Sequence, residues 1–389
     1  MKKIIAMLMA LVCLFSLAAC GTSSQPAADN NAVAEAPAQE AEQPAAEAEE
    51  PAPAEEAEEP AAAANPVNLV FASNKNEAED GGQVVKFFCD YVTEASGGEI
   101  TFDIFWGGTL CSMPEEFEMV SSGAADMCAL NQMPFGSLIP LTQFPNGTCN
   151  GADGTVDYAK YVLFENADSA TLITDEFESN NLHYVGFSLN GSSGYYCNFE
   201  AYRLEDMAGK KFGTGKSGAL QKEYGLNVVS MEGSAGYDSL QRAVVDCTDF
   251  TMGAAYSNSW QEVAPYWVFY GLCSFGNYMT INLDTWNSLT AEQQAILMEA
   301  GQATLQFSID QVVNSEDRIV ETVEAENGVT VTFVEGEEQD AFAELSFRLD
   351  CENALANAAG QGKAEQMKTV LSVAADYLGF DISDILAAE

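Results

Sequence analysis

Histidine is almost missing from this 389-residue chain, which carries one, His183. With a single imidazole and no Cys-x-x-Cys spacing among ten cysteines, a zinc site of the usual Cys and His ligands is not expected. No nucleophile motif is present either, so an enzyme is disfavoured and no cofactor or metal is expected. His183 itself reads as a structural residue. Positive charge is also scarce: 15 Lys and Arg stand against 59 Asp and Glu, a formal net charge of −44. Such a surface argues against nucleic acid and anionic membranes as partners, although adaptation of an exported chain to its medium would give the same imbalance. Beyond the first twenty residues no apolar run is long enough to span a bilayer.

What is present begins with a processing segment. Lys2 and Lys3, the apolar run Ile4 to Phe15 and the box Leu17-Ala18-Ala19-Cys20-Gly21 resemble a bacterial lipoprotein signal. That resemblance implies a lipidated Cys20 as the mature N-terminus, anchored on the outer face of the cytoplasmic membrane, extracellular or periplasmic. A membrane-spanning anchor is the alternative, but the run is short for one. Residues 21–65 are Ala, Glu, Pro and Gln with eleven acids and almost no large apolar side chain, so they cannot offset ordering entropy by burial and read as an extended tether.

Residues 66–389 are long enough for two α/β lobes with separate cores. Eight cysteines remain there: Cys89, Cys111, Cys128, Cys149, Cys197, Cys247, Cys273 and Cys351. Cys89, Cys128 and Cys247 sit in apolar patterns where a buried free thiol is common, while an oxidising compartment would permit disulfides.

The spacing predicts a strand over 67–73 ending at Asn74 and Lys75, then a helix with Val84, Val85, Phe88, Tyr91 and Val92 on one face, stopped by Gly97-Gly98. Ile100, Phe102 and Ile104 alternate in a second strand ending at Trp106. Ser112 before Pro114 is a candidate N-cap, and a third strand over 124–130 ends at Asn131. In such β-α-β-α-β units ligands bind beyond the carboxyl ends of the strands, which places Asn74, Lys75, Trp106 and Asn131 on one cleft wall. Trp106 reads either as core or as a ligand platform. A helix is expected over 157–179, then a crossing between lobes. A strand follows at 226–231, and an aromatic-rich helical stretch includes Tyr256, Trp260 and Trp267. Residues 278–282 read as the strand crossing back. Thr290-Ala-Glu-Gln293 forms a capping box opening a long helix to about residue 326, followed by a strand at 329–334 and terminal helices.

Leu204 to Ser217, Leu-Glu-Asp-Met-Ala-Gly-Lys-Lys-Phe-Gly-Thr-Gly-Lys-Ser, ends like a phosphate-binding loop, but Lys210 stands where that loop needs glycine. It also reads as a plain glycine-rich turn. The same stretch resembles the segment opening the second lobe of solute-binding proteins of TRAP transporters (tripartite ATP-independent periplasmic transporters). So do Val-Phe-Ala-Ser-Asn, Ala-Ser-Gly-Gly-Glu-Ile and Ser-Ser-Gly-Ala-Ala-Asp-Met earlier, and Tyr237-Asp-Ser-Leu-Gln-Arg-Ala-Val-Val-Asp246 later. The resemblance runs over essentially all of residues 66–389.

It implies an α/β, two-lobed periplasmic-binding-protein-like fold with a hinge and a long helix spanning both lobes. Residues 66–189 and 279–318 would form the first lobe; 190–278 and 319–389, with the C-terminal helices, the second. It further implies capture of a small organic solute and delivery to TRAP permease subunits, with the chain monomeric; a ligand-sensing co-receptor of the same fold is the alternative. A substrate-clamping arginine of the family falls on Gly213, another falls within Ser192 to Asn198, where Tyr195 and Tyr196 stand, and a usual amide falls on Phe250. The implied ligand-binding set is Asn74, Lys75, Trp106, Asn131, Tyr195, Tyr196, Gly213, Thr214, Tyr237, Asp249 and Phe250, with Cys247 and Thr248 beside it. Without the arginines a neutral, aromatic or cationic solute is favoured over a dicarboxylate, unless Lys75, Lys211 or Lys216 supplies a point charge.

Overall fold

A computed structural model describes residues 66–387. Cys20 and the 21–65 tether lie outside the described residues. Ten strands form one mixed sheet: β1 (Val67–Ala72), β2 (Ile100–Phe105), β3 (Met127–Asn131), β4 (Gly147–Thr148), β5 (Leu182–Cys197), β6 (Lys211–Thr214), β7 (Asn227–Ser230), β8 (Cys247–Thr251), β9 (Tyr266–Asn282) and β10 (Thr330–Phe333). The order is β2-β1-β3-β9-β5-β8-β6-β7, with β4 and β10 also pairing β9. The helices are α1 (Asp80–Ala95), α2 (Glu116–Ser121), α3 (Gly151–Lys160), α4 (Ala167–Glu178), α5 (Ala219–Glu223), α6 (Gly236–Gln241), α7 (Met252–Ser257), α8 (Leu283–Ser288), α9 (Ala291–Asn327), α10 (Glu337–Gly360), α11 (Ala364–Leu378) and α12 (Ser383–Leu386).

The two long strands β5 and β9 run antiparallel through both lobes. In the first lobe β9 carries β3 on its free edge; in the second β5 carries β8. Both β3 and β8 therefore point their carboxyl ends at the middle of the ribbon, Asn131 beside Asn277 and Thr251 beside Ser193. Register shifts between Tyr184 and Gly194 break the β5 ladder where the chain passes between lobes, and such bulges bend a strand and increase its twist. This is the hinge.

Strand alternation divides the core into four. Phe71 and Met127 face α1 and α9 in the first lobe, while Ala72 and Cys128 face the opposite side. In the second lobe Tyr195, Phe212 and Cys247 face α10, and Tyr196, Val245 and Trp267 face the C-terminal end of α9. α9 spans both lobes, burying Leu297 and Ala300 in the first and Ile319 and Val323 in the second. Its start is the expected box: Gln293 N–H donates to Thr290 Oγ1 at 3.2 Å, and Thr290 N–H to Gln293 Oε1 at 3.0 Å. It ends at Gly328, whose φ of 67° few other residues adopt. Where α9 crosses β5, two glycines touch: a Cβ on Gly186 would lie 2.6 Å from the Gly301 Cα.

Some expectations are corrected. The C-terminal helices, expected to complete the second lobe and brace the first, pack against cores of both. α10 bridges, with Phe342 in the second-lobe core and Phe347 and Cys351 in the first, and α11 buries Met367, Val370 and Leu371 in the first. Trp267 is not helical; it lies in β9, whose first half is apolar on both faces and so shows no alternation. The helix expected over 157–179 is two, because Asn166 caps α4 by accepting from Asp168 N–H and Ser169 N–H. Ser112 takes the expected N-cap place, before a short 3-10 turn over Met113–Glu115: its carbonyl accepts from Glu115 N–H at 2.9 Å, and its own N–H and hydroxyl donate to the Glu115 carboxylate.

Candidate functional site

Two cavities flank the crossing ribbon at the strand carboxyl ends. On the α9 side about 520 Å³ is enclosed by Lys75, Asn190, Thr251, Asn277 and Gln311 among others. On the α10 side about 410 Å³ is lined by Gln132, Asn146, Lys216, Asp350 and Asn353, and it meets a 100 Å³ recess under Tyr195 and Asp249. A larger cavity of about 750 Å³, between β4 and the C-terminal helices, lies away from the strand ends except where it reaches Asp350.

The structure brings only part of the implied set to these walls. Lys75 lines the α9-side cavity. Tyr195 and Asp249 line the α10-side recess; the Tyr195 hydroxyl accepts from Gln221 Nε2 at 3.1 Å, and Asp249 is 3.5 Å from Lys216 Nζ. Thr214 is buried and shapes the turn, its Oγ1 accepting from Lys216 N–H at 3.1 Å. Asn131 caps the next turn through Met133 N–H, and its neighbour Gln132 faces the cavity instead. Asn74 is engaged by Glu116, donating from Nδ2 to Oε1 at 2.7 Å. Glu116 is 1 % exposed, and burial pushes its carboxyl up to about 7 against the pull of Asn74 and Lys75.

The remaining residues face elsewhere. Tyr196 points to the opposite face from Tyr195, as strand alternation requires, and is fully buried edge-on between Trp260 at 5.2 Å and Trp267 at 5.0 Å. Phe250 stacks on Trp260 at 5.2 Å and lies over Gly233, where a Cβ would come within 2.7 Å of its ring. Gly213 does not open onto solvent: a Cβ there would meet Met231 Cε at 2.8 Å, Met231 Sδ at 2.9 Å and Val245 Cγ1 at 3.0 Å. The space beside this glycine is thus occupied by the Met231 thioether, not by a ligand or an aromatic ring. Thr248 donates to the Gly213 carbonyl, and Cys247 is buried core. Tyr237 lies on α6, donating to Glu262 Oε2 at 2.9 Å and away from the cavities. Trp106 is half-buried, packs against the α1-side core and is not among the residues lining these cavities.

Sequence reasoning missed α10. Ser346, Asp350, Asn353 and Asn357 recur at helical spacing and form a polar stripe along the α10-side cavities, a pattern that was visible beside the buried Phe347 and Cys351. Solvent reaches Asp350, but protein walls it on several sides; that partial desolvation raises its carboxyl to about 6, with Lys216 pulling the other way. None of the four arginines in the chain lines these cavities: Arg203 lies near Asp206 and Glu338, Arg242 near Asp238, Arg348 is paired with Asp384, and Arg318 borders a separate 220 Å³ recess. Among the described residues no group of three or more His, Cys, Asp or Glu is arranged to hold a metal ion, and no helix is long and apolar enough to cross a membrane.

Comparison with known proteins agrees with this architecture. The C4-dicarboxylate-binding protein DctB of Bacillus subtilis is 23% identical over 231 residues, 58% of this chain and 65% of that protein. Thus the match spans just under two thirds of the Bacillus relative. A TRAP periplasmic solute-binding protein of Rhodobacter sphaeroides, in an apo open structure, superposes with a TM-score of 0.67 at 23% identity, covering 83% of this chain and 100% of that one. One from Sulfitobacter sp. NAS-14.1 with bound β-D-galacturonate gives 0.61 at 21%, covering 79% and 100%. Residues 71–349 match the family described as bacterial extracellular solute-binding protein, family 7. The chain belongs to that family, the solute-binding proteins of TRAP type.

Proposed function

We propose that this protein captures a small organic solute in the cleft between its lobes and delivers it to a TRAP-type membrane permease. The observation that carries this reading is the convergence of strand carboxyl ends from both lobes on polar cavities astride a bulged crossing ribbon. Cavities of 520 and 410 Å³ suit a small solute, since ligand sites run to about 300–1,000 Å³. The solute is held without an arginine clamp: the family's arginine position is Gly213, roofed by Met231, and the usual amide position is Phe250, turned onto Trp260. The relative from Sulfitobacter holds a sugar acid, so carboxylates belong in any screen. Lipidation at Cys20 and the acidic tether would hold a monomeric binding protein near the outer face of the membrane, within reach of its permease.

The test is a thermal-shift panel of sugar acids, dicarboxylates, amino acids, amines and nucleosides, followed by small-angle scattering. A solute at 100 times its Kd should stabilise the fold by about 2.7 kcal/mol. Binding that spans both lobes should also contract the molecule, because it favours the closed state. A saturating ligand that leaves the radius of gyration unchanged would count against capture between lobes.

A further inference from the structure

The walls of the α10-side cavity and its recess carry two carboxylates to one ammonium among the described residues. Asp350 faces both the cavity and the adjoining recess, Asp249 faces the recess, and among the described residues Lys216 is the one cation on the walls of either. Lys216 is held loosely: its side chain is 63% exposed and its Nζ is 3.5 Å from Asp249 Oδ2, a long ion pair to a carboxylate that is itself only 15% exposed. A second, independent observation comes from the first lobe. Gln132 is 1 % exposed, lines the same cavity, and its Oε1 has no hydrogen-bond partner. A buried acceptor without a partner is costly and uncommon in a native structure, and a bound donor would satisfy it. Tyr195, whose hydroxyl already accepts from Gln221, adds an aromatic wall.

Resting on the capture reading above, we infer that this cavity selects a solute carrying a protonated amine, seated between Asp350 of α10, Asp249 of β8 and Gln132 after β3. An ammonium offers three donors and no acceptor, which matches two carboxylates and an orphaned amide oxygen. A carboxylate at the same place would approach Lys216 only by also facing Asp249 and Asp350. The site joins the first lobe (Gln132), the second (Asp249, Lys216) and α10 (Asp350), so an amine bridging them would draw the lobes together. A zwitterion fits with its carboxylate turned to Lys216 and its amine to Asp350.

The experiment is isothermal titration of the full chain, with putrescine, L-lysine and L-alanine as amine probes and succinate and galacturonate as acids. Wild type is compared with Asp350→Asn, Asp249→Asn and Lys216→Gln, each checked for an unchanged fold by circular dichroism. The expected result is binding of at least one amine probe, weakened tenfold or more by Asp350→Asn and by Asp249→Asn; Lys216→Gln should leave putrescine unchanged or tightened and weaken L-lysine and L-alanine, whose carboxylates face it. That split for Lys216→Gln is not what a merely structural role would give. Acids bound tightly, with affinity lost in Lys216→Gln and unchanged or improved in Asp350→Asn, would overturn the amine inference while leaving solute capture standing. Amine binding indifferent to Asp350→Asn would overturn the assignment of the site. If no probe of either class binds the folded protein, the amine inference fails together with the capture reading for these solutes.

Discussion

Gly213→Arg restores at one position the side chain that the family resemblance places there, and the structure says what it would meet. The new Cβ would lie 2.8 and 2.9 Å from the end of the Met231 side chain and 3.0 Å from Val245 Cγ1. Met231 is half-buried and flexible, so it can yield; Val245 is fully buried and cannot. Overpacking of this kind costs about 1–3 kcal/mol, and a guanidinium pressed toward an apolar cluster adds a desolvation penalty. Against a total stability of about 5–15 kcal/mol that is a large fraction. The decisive comparison adds Met231→Ala, which clears the roof. If Met231 occupies the arginine's place, Gly213→Arg/Met231→Ala should lose less than the sum of the two single variants, with a favourable coupling of about 0.5–3 kcal/mol as for other residues in contact. Urea unfolding followed by tryptophan fluorescence measures all four chains. Strict additivity, or a Gly213→Arg chain as stable as wild type, would refute the claim that the thioether fills this space.

Further outcomes follow from other parts of the molecule. Glu116 has a folded-state carboxyl raised from 4.5 to about 7 among Asn74, Lys75, Cys111 and Cys128; the folded chain therefore binds the extra proton, and stability should fall as pH rises from about 4.5 to about 7, by at most about 1.4 kcal/mol per unit. Glu116→Gln should flatten that stretch of a stability-versus-pH curve, and an unchanged slope would assign it to another group. Gly186→Ala sets a methyl 2.6 Å from the Gly301 backbone and should destabilise by about 3 kcal/mol or more, since no side chain can move aside; calorimetry checks it. Cys197 and Cys247 stand opposite each other in β5 and β8, and the Asn198 N–H to Asp246 carbonyl bond marks theirs as the non-hydrogen-bonded pair, where side chains lie closest. Refolding in an excess of a small-molecule disulfide should consume these two of the eight described thiols and yield one crosslinked peptide by non-reducing mass spectrometry; recovery of both as free thiols would exclude it.

The fold was legible where side chains follow one period and less so where they do not. The α1 face, the β2 alternation and the α9 capping box are local signals, and each element forms where its residues say. The crossing strands were only half legible, because β5 and β9 are buried on both faces for part of their length and present no alternation. The site was harder still. Tyr195 and Tyr196 are adjacent in sequence, and only pairing with β8 and β9 decides which one faces the cavity. Gly213 was legible as a missing side chain but not as a filled space, because Met231 reaches it from the end of β7, a neighbour known only once β6 and β7 pair. Asp350 reaches the cleft because α10 crosses from one lobe core to the other, which no local pattern announces.

The bridging elements also set the order in which the chain can assemble. The first lobe opens at β1 (Val67–Ala72), yet β3 hydrogen-bonds on its far side to the last residues of β9, Asn277 to Ile281, and the α1 core is closed by Leu297 and Ala300 of α9. Its other core waits longer, for Met367 and Leu371 of α11 near the end of the chain. Neither half can bury its apolar surface from its own contiguous sequence: β1 pairs with β2 and β3 early, but the far edge of β3 and the first-lobe cores stay uncovered while most of the chain emerges. Contacts of such long sequence separation slow folding and leave intermediates exposed to aggregation. The heavy negative charge of the chain then acts on the unfinished molecule as well, since mutual repulsion keeps partly folded copies apart until the last helices arrive.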